Sequence, residues 1–157
     1  NYRPPLWRSE AQARAETLWG LEQADVVKLS DEELSFLWGC TPEEGARRLR
    51  EECGVALAMI TLGPQGCYLE NARGACRVPA PAVRPVDTTA AGDTFLGYYL
   101  GALLAGAPIP EALRLSSAAS ALCIQRRGAA DAIPLLEEVR AALAAGSLGE
   151  MGKGASL

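Results

Sequence analysis

The stretch that most limits how this chain can fold is Val86-Asp87-Thr88-Thr89-Ala90-Ala91-Gly92-Asp93-Thr94-Phe95. Pro79, Pro81 and Pro85 precede it and keep the backbone extended, since each fixes its own φ and bars the preceding residue from the helical region. The apolar run from Phe95 to Ala105, with its two internal glycines, follows and predicts a buried helix. Ala90 to Asp93 therefore lies where a loop turns into a helix. Small residues there let a ligand approach the backbone closely. The unpaired N–H groups of a first helical turn, with the helix dipole behind them, favour an anion. Asp93 sits within or beside that place, and two readings of it stand together. It is an N-cap, since Asp is among the favoured capping residues, or it is a carboxylate that acts on something bound there.

Composition removes several classes. The 157 residues are about half apolar with a net charge of −4, as in an ordinary globular protein, and the length predicts one domain. No apolar run reaches the roughly 18 residues of a membrane span, and no basic stripe is present. Neither a membrane nor a nucleic-acid partner is expected. The absence of histidine excludes His-based triads and the commonest metal ligand. Five cysteines (Cys40, Cys53, Cys67, Cys76, Cys123) are scattered, odd in number and without metal-type spacing. They predict buried free thiols in a reducing, cytoplasmic setting. No signal peptide is seen. The chain opens on Asn1 rather than Met, inside what reads as a functional loop, as expected of a fragment of a longer protein. Trp7, Trp19 and Trp38 are expected to be packing anchors rather than sugar platforms.

Along the chain, Asn1 to Trp7 cannot be helical across Pro4 and Pro5. Ser9 caps an expected helix running to Gln23, with Ala11, Ala15, Leu18 and Leu21 near one face. Val26 to Leu29 predicts a buried strand. Ser30-Asp31-Glu32-Glu33 then forms a capping box ahead of a helix whose buried face is Leu34, Leu37 and Trp38, ended by Gly39. Thr41 and Pro42 open a helix that Gly54 stops. Val55 to Thr61 is the clearest strand, and Leu62 to Gly66 a turn. Cys67–Glu70 and Cys76–Val78 suggest an antiparallel pair. Pro110 starts an Ala/Ser-rich helix (Ser116, Ser117, Ser120) suited to close packing, closed by Arg126-Arg127-Gly128. Pro134 begins a last amphipathic helix through Leu135, Val139 and Leu143, and residues 146–157 form an expected mobile tail. Strands alternating with helices predict an α/β layered fold with a mainly parallel sheet, though few parallel strands are present. No linker or repeat marks an internal boundary.

Asp87-Thr88-Thr89-Ala90-Ala91-Gly92-Asp93-Thr94-Phe95 closely resembles the C-terminal signature D-T-x-G-A-G-D of the ribokinase-like (PfkB) carbohydrate kinases, with Ala90 in place of the commoner Gly. The resemblance covers Asn1 to about Ala145 but only the C-terminal half of a member. It implies a ribokinase-like, Rossmann-like fold with the N-terminal half and lid missing, residues 1–145 being the nucleotide-binding and catalytic part. It places Asp93 on the family's general base, and Ala91, Gly92 and the Asp93 amide on the anion hole for the transferring phosphoryl group. Asp87 and Thr89 fall where many members bind a monovalent cation, with Ile124 to Gly128 closing that site, so potassium joins ATP and magnesium among the implied cofactors.

Ser30 to Glu33 takes the place of the family's N-x-x-E element, with Ser for Asn, which makes Glu33 a candidate for organising hydrated magnesium. The capping box is the other reading of the same residues, and the two are compatible. Thr61-Leu62-Gly63-Pro64-Gln65-Gly66 resembles the T-x-G-x-x-G turn beneath the ATP phosphates, which marks Thr61, Gly63 and Gly66, with Ala90, as nucleotide-binding candidates. Ser117 stands where relatives often carry an Asn lining the adenine pocket. Asn1 to Trp7 is similar to the D-x-N-x-R-x-x-L-W segment of bacterial fructokinases and 2-keto-3-deoxygluconate kinases without its leading Asp, so Arg3 either meets an anionic oxygen or is a surface arginine. Ala90-Ala91-Gly92-Asp93-Thr94-Phe95 and Arg126-Arg127-Gly128-Ala129 lean toward ribokinase-like members; fructokinase is preferred. The implied activity is γ-phosphate transfer from ATP to a sugar hydroxyl, with the homodimers of some members a precedent for the full-length protein. The alternative is a truncated, non-catalytic piece that at most binds nucleotide.

Overall fold

A computed structural model describes residues 2–148. They gather into two compact units: the first runs to Gly63 and resumes over Cys67–Cys76, the second takes Pro64–Gly66 and the chain from Arg77 on. The division falls within the hairpin region, where no change of composition marks it.

In the first unit, α1 (Glu10–Leu21) starts at Ser9, whose Oγ accepts the Gln12 N–H at 3.1 Å. β1 (Val26–Ser30) leads without a loop into α2 (Asp31–Leu37). α3 (Pro42–Glu51) is capped by Thr41 and carries acidic residues in its first turn and arginines in its last, matching its dipole. β2 (Leu57–Thr61) pairs in parallel with β1, Val26 opposite Leu57 and Ser30 opposite Thr61. β3 (Cys67–Asn71) runs antiparallel to β2, Thr61 opposite Cys67. β4 (Gly74–Val78) follows after a two-residue turn and completes the sheet order β1-β2-β3-β4. Leu21, Val27, Leu29, Leu34, Leu49 and Ile60 form the core against α1, α2 and α3. β2 is the most deeply buried strand, with Ala58, Met59 and Ile60 all at 0% exposure. Among the described residues β1 and β2 pair in parallel and β2 and β3 antiparallel, so the sheet is mixed.

Two expectations for α1 give way. Ala11 and Ala15 are exposed, and Ala13 and Leu21 are the buried positions. The Arg14 guanidinium lies 4.7 Å from the Phe36 ring centroid and donates to the Leu37 carbonyl, which turns the helix to bury Ala13. Trp19 is 64% exposed and anchors nothing. Trp38 is half-buried, with the Arg48 guanidinium 5.0 Å above its ring. All five cysteines are free, and burial pushes the Cys67 thiol up to about 12, which keeps it inert.

The second unit is helical. α4 (Ala91–Leu104), α5 (Ile109–Cys123) and α6 (Leu136–Ala145) pack through small residues: Ala118, Ala119 and Ala121 on α5 meet Val139 and Leu148. Ser116 and Ser117 are buried there, and the Ser116 hydroxyl is satisfied by the Ala112 carbonyl at 2.7 Å. α4 is buried on one face only. Thr94, Phe95, Tyr99 and Ala102 point inward, while Leu104 is 89% exposed, so the fully buried helix expected from its apolar run is corrected. Pro134 and Leu135 lie just outside α6. Gly146, with φ 63°, ends α6, and Leu148 is buried. Of the expected tail, Gly146 and Ser147 are exposed and Leu148 is buried; residues 149–157, like Asn1, lie outside the described part.

Gly66 is the glycine whose replacement is most costly. Its φ is +93°, and a Cβ would lie 1.9 Å from the Val78 carbonyl oxygen, a backbone atom that cannot move aside. Gly66→Ala is expected to destabilise the chain by about 2–3 kcal/mol, read as a lowered urea midpoint. An unchanged midpoint would show that the Gly66 turn does not approach β4.

Candidate active site

In the first unit, the parallel register brings the ends of β1 and β2 side by side, and the candidate residues there collect around Glu33. The Ser30 Oγ accepts the Glu33 N–H at 3.1 Å, and Glu33 Oε2 accepts the Ser30 N–H at 2.9 Å, a complete capping box. The other carboxylate oxygen accepts the Tyr2 N–H at 3.0 Å, and Lys28 Nζ stands 3.9 Å from Oε2. Burial alone would raise the Glu33 pKa. The Ser30 and Tyr2 amides, aided by Lys28, outweigh it and hold the carboxyl below its ordinary value. Each Glu33 oxygen is thus already engaged, and a metal would reach it only on a remaining lone pair or through water.

Tyr2 stacks on Phe36, ring centroids 3.7 Å apart, which ties the opening segment to α2. Arg3 precedes the turn Pro4–Leu6, accepts the Leu6 N–H at its carbonyl at 3.0 Å, and is exposed. Thr61 donates its hydroxyl to the Leu29 carbonyl at 3.3 Å, and Gly63, with φ 52°, is exposed just beyond. Sequence reasoning passed over Lys28 and the Tyr2 amide. A lysine inside the apolar run Val26 to Leu29 was the available signal for the first; a backbone N–H offers none.

In the second unit, the segment Val86 to Asp93 is bound at several points. Val86 and Asp87 both donate their N–H groups to the Ile124 carbonyl, at 2.7 and 3.1 Å. Asp87 Oδ1 accepts the Thr89 N–H at 2.9 Å and Oδ2 the Gly128 N–H at 3.1 Å. The structure therefore brings Asp87, Thr89 and the Ile124 to Gly128 stretch together. Hydrogen bonds from Thr89, then from Gly128, keep the Asp87 carboxyl below its ordinary value.

α4 begins without a side-chain cap. Its N-cap is Ala90, in the left-handed region at φ 61°, and Asp93 is the third residue of the helix, so the N-cap reading of Asp93 is corrected. The left-handed turn displaces the start of the helix by three residues. Ala91 gives its N–H to the Thr88 carbonyl at 3.2 Å and Thr94 to that of Ala90 at 2.8 Å. Between them, the Gly92 and Asp93 amides make no such bond among the described residues, as the second and third amides of a helix do not. The Asp93 side chain is exposed and accepts no hydrogen bond among those residues.

Asp93 borders an open groove of about 1540 Å³ whose lining includes Gly97 and Gly101 of α4, Arg114 of α5 and Arg140 of α6. Ser117 is absent from that lining; it is only 6% exposed, in the α5 packing. Gly66, held against Val78 and Pro79, offers no open approach on its Cα side. No group of three acidic, Cys or His residues able to hold a metal occurs among the described residues. No helix among them is long and apolar enough to cross a membrane.

The model of the pfkB family carbohydrate kinases matches residues 1–136. A probable fructokinase-4 of Arabidopsis thaliana is 38% identical over 154 residues, covering 91% of this chain and 46% of its own length. Among solved structures, aminoimidazole riboside kinase from Salmonella enterica, complexed with aminoimidazole riboside and an ATP analogue, superposes with a TM-score of 0.79 at 30% identity, covering 91% of this chain and 50% of its own. Fructokinase from Vibrio cholerae O395, bound to fructose, ADP and calcium, does so with a TM-score of 0.78 at 32% identity, covering 89% and 47%. The chain thus spans about half the length of the relatives it matches.

The bonding of Asp87 makes a direct prediction. A carboxylate with a lowered pKa holds its partners at neutral pH and releases them as pH falls through that lowered value. The Thr89 and Gly128 amide resonances should therefore shift together on acidification, with one midpoint below the ordinary Asp value of 3.8. Separate midpoints, or one at or above that value, would contradict the shared anchor.

Proposed function

Because the chain belongs to the pfkB family of carbohydrate kinases, we propose that it is the nucleotide-binding and catalytic half of an ATP-dependent sugar kinase, with fructose the preferred acceptor. The observation that carries this is the start of α4: an exposed carboxylate, Asp93, with no hydrogen-bond partner among the described residues, beside the Gly92 and Asp93 amides, which are likewise unpaired there. Phosphoryl transfer asks a protein chiefly for positioning and charge stabilisation. The two amides and the positive end of the helix dipole suit the equatorial oxygens of a transferring γ-phosphoryl group. Asp93, in hydrogen-bond reach of an alcohol set before that group, would take its proton as the alcohol oxygen bonds to the γ-phosphorus and the bond to the β-phosphate oxygen breaks, releasing ADP.

Fructose is preferred because the opening segment and several relatives point the same way; the Vibrio cholerae enzyme holds fructose and ADP in its own structure. Ribose and 2-keto-3-deoxygluconate are the alternative acceptors. Magnesium would be carried by the nucleotide's phosphates and water, with Glu33 as an outer partner, in keeping with an ion that retains much of its hydration. Asp87, Thr89 and residues 124–128 form the loop that a potassium ion would occupy through carbonyl oxygens. A second reading is favoured by the exposure of Leu104 at 89% and Leu100 at 38%: by itself this chain binds nucleotide at most, and catalysis needs the remainder of the fold.

Asp93→Asn in the full-length protein should lower kcat by about 10²–10⁴-fold, with ATP affinity roughly preserved. Near-normal turnover would rule out Asp93 as the base. The 157-residue chain, assayed by coupled turnover with fructose, ribose and ketodeoxygluconate, should show little or none. Substantial turnover would overturn the second reading.

A further inference from the structure

Ala90 is the one non-glycine residue with a positive φ among the described residues. An L-alanine in the left-handed region brings its Cβ against its own carbonyl oxygen, and such a conformation persists only where the surroundings over-determine it. Those surroundings are specific. The carbonyl before Ala90, that of Thr89, accepts the Cys123 thiol at 3.8 Å, and the carbonyl after it, that of Ala91, accepts the Ser120 hydroxyl at 3.1 Å. Ser120 and Cys123 are three residues apart on α5 and so share one face of that helix. Thr94 closes the arrangement. Its hydroxyl donates to the Cys123 sulfur at 3.4 Å, and its N–H to the Ala90 carbonyl at 2.8 Å. Cys123 is 0% exposed and Thr94 2%, so the bond between them is shielded from water, while the bonds to the Thr89 and Ala91 carbonyls are partly buried.

We propose that Ser120 and Cys123 are positioning residues for the phosphate turn. From one face of α5 they hold the carbonyls on both sides of Ala90, enforce its left-handed bend, and so aim the Gly92 and Asp93 amides at the bound phosphoryl group. The last step rests on the reading of that turn as a phosphate site; the clamp on Ala90 does not.

Glycine separates positioning from packing, because it takes a positive φ without strain and makes the clamp dispensable for the bend. The test uses the 157-residue chain carrying Ser120→Ala, Cys123→Ala or both, each with and without Ala90→Gly. Three readouts are taken: the backbone carbon shifts at residue 90, the urea midpoint, and the movement of the Gly92 and Asp93 amide resonances on titration with magnesium-ATP. The double variant should lose the left-handed signature at residue 90 and bind magnesium-ATP about tenfold more weakly, or worse, as expected when a hydrogen bond to a charged group is misaimed. Adding Ala90→Gly should restore both while the urea midpoint stays low.

A double variant that keeps the left-handed signature overturns the proposal. So does a loss of affinity that Ala90→Gly fails to restore, since that pattern belongs to packing alone. Should the double variant fail to fold, Ser120→Ala by itself, which removes one partly buried hydroxyl, is read by the same criteria. If magnesium-ATP leaves the Gly92 and Asp93 amides of the unaltered chain unmoved, the phosphate reading is lost, and the shifts at residue 90 still decide whether the clamp exists.

Discussion

The second unit depends on how α4 starts. A capped helix spends its first amides on the capping side chain. Here the N-cap is an alanine bent into the left-handed region, it has no polar side chain to fold back, and two amides are left without partners among the described residues. Unpaired amides are costly in a dry interior and cheap at a wet surface. The arrangement therefore stands only because the end of α4 borders an open groove while the residues behind it are buried. The bend has to be held from outside itself. The small residues of α5 permit this, since alanines and serines let the two helices approach closely enough for α5 side chains to reach loop carbonyls.

Three carboxylates near element ends show how bonding separates one acid from another. Glu33 and Asp87 each accept two backbone N–H groups, one per oxygen, and each is held ionised below its ordinary pKa. In the fold, Glu33 fixes the junction of β1 and α2 and draws in the opening segment, and Asp87 ties the loop before α4 to the segment after α5. Asp93 accepts nothing among the described residues and faces solvent. Of the three, the carboxylate without donors among the described residues is the one left open to a ligand, as the role proposed for Asp93 requires.

The start of α4 also shows where a local reading of sequence goes astray. Asp93 resembles an N-cap because capping statistics concern a residue and its next three neighbours. The left-handed turn at Ala90 moves the helix start upstream, and what permits that turn lies 29 to 34 residues further along the chain, on α5. The apolar run from Phe95 predicts a buried helix, and one face of it is open. Hydrophobicity says that a segment prefers burial; the partners present decide how much is achieved.

By itself the sequence determined whatever is settled within a few residues. It specified the caps at Ser9, Ser30 and Thr41, the pairing of Ser30 with Glu33, the stops at Gly39 and Gly54, and the loop-to-helix junction that carries the family's signature. Those interactions close rings of one helical turn, so their residue types and spacing are enough to specify them. Tertiary structure alone decided which face of α1 is buried, that Trp19 is exposed, that Lys28 and the Tyr2 amide converge on Glu33, and that Asp87 reaches Gly128 41 residues away. Contacts of that range are set by helix packing and strand register, which bring together groups whose separation along the chain carries no trace of their meeting.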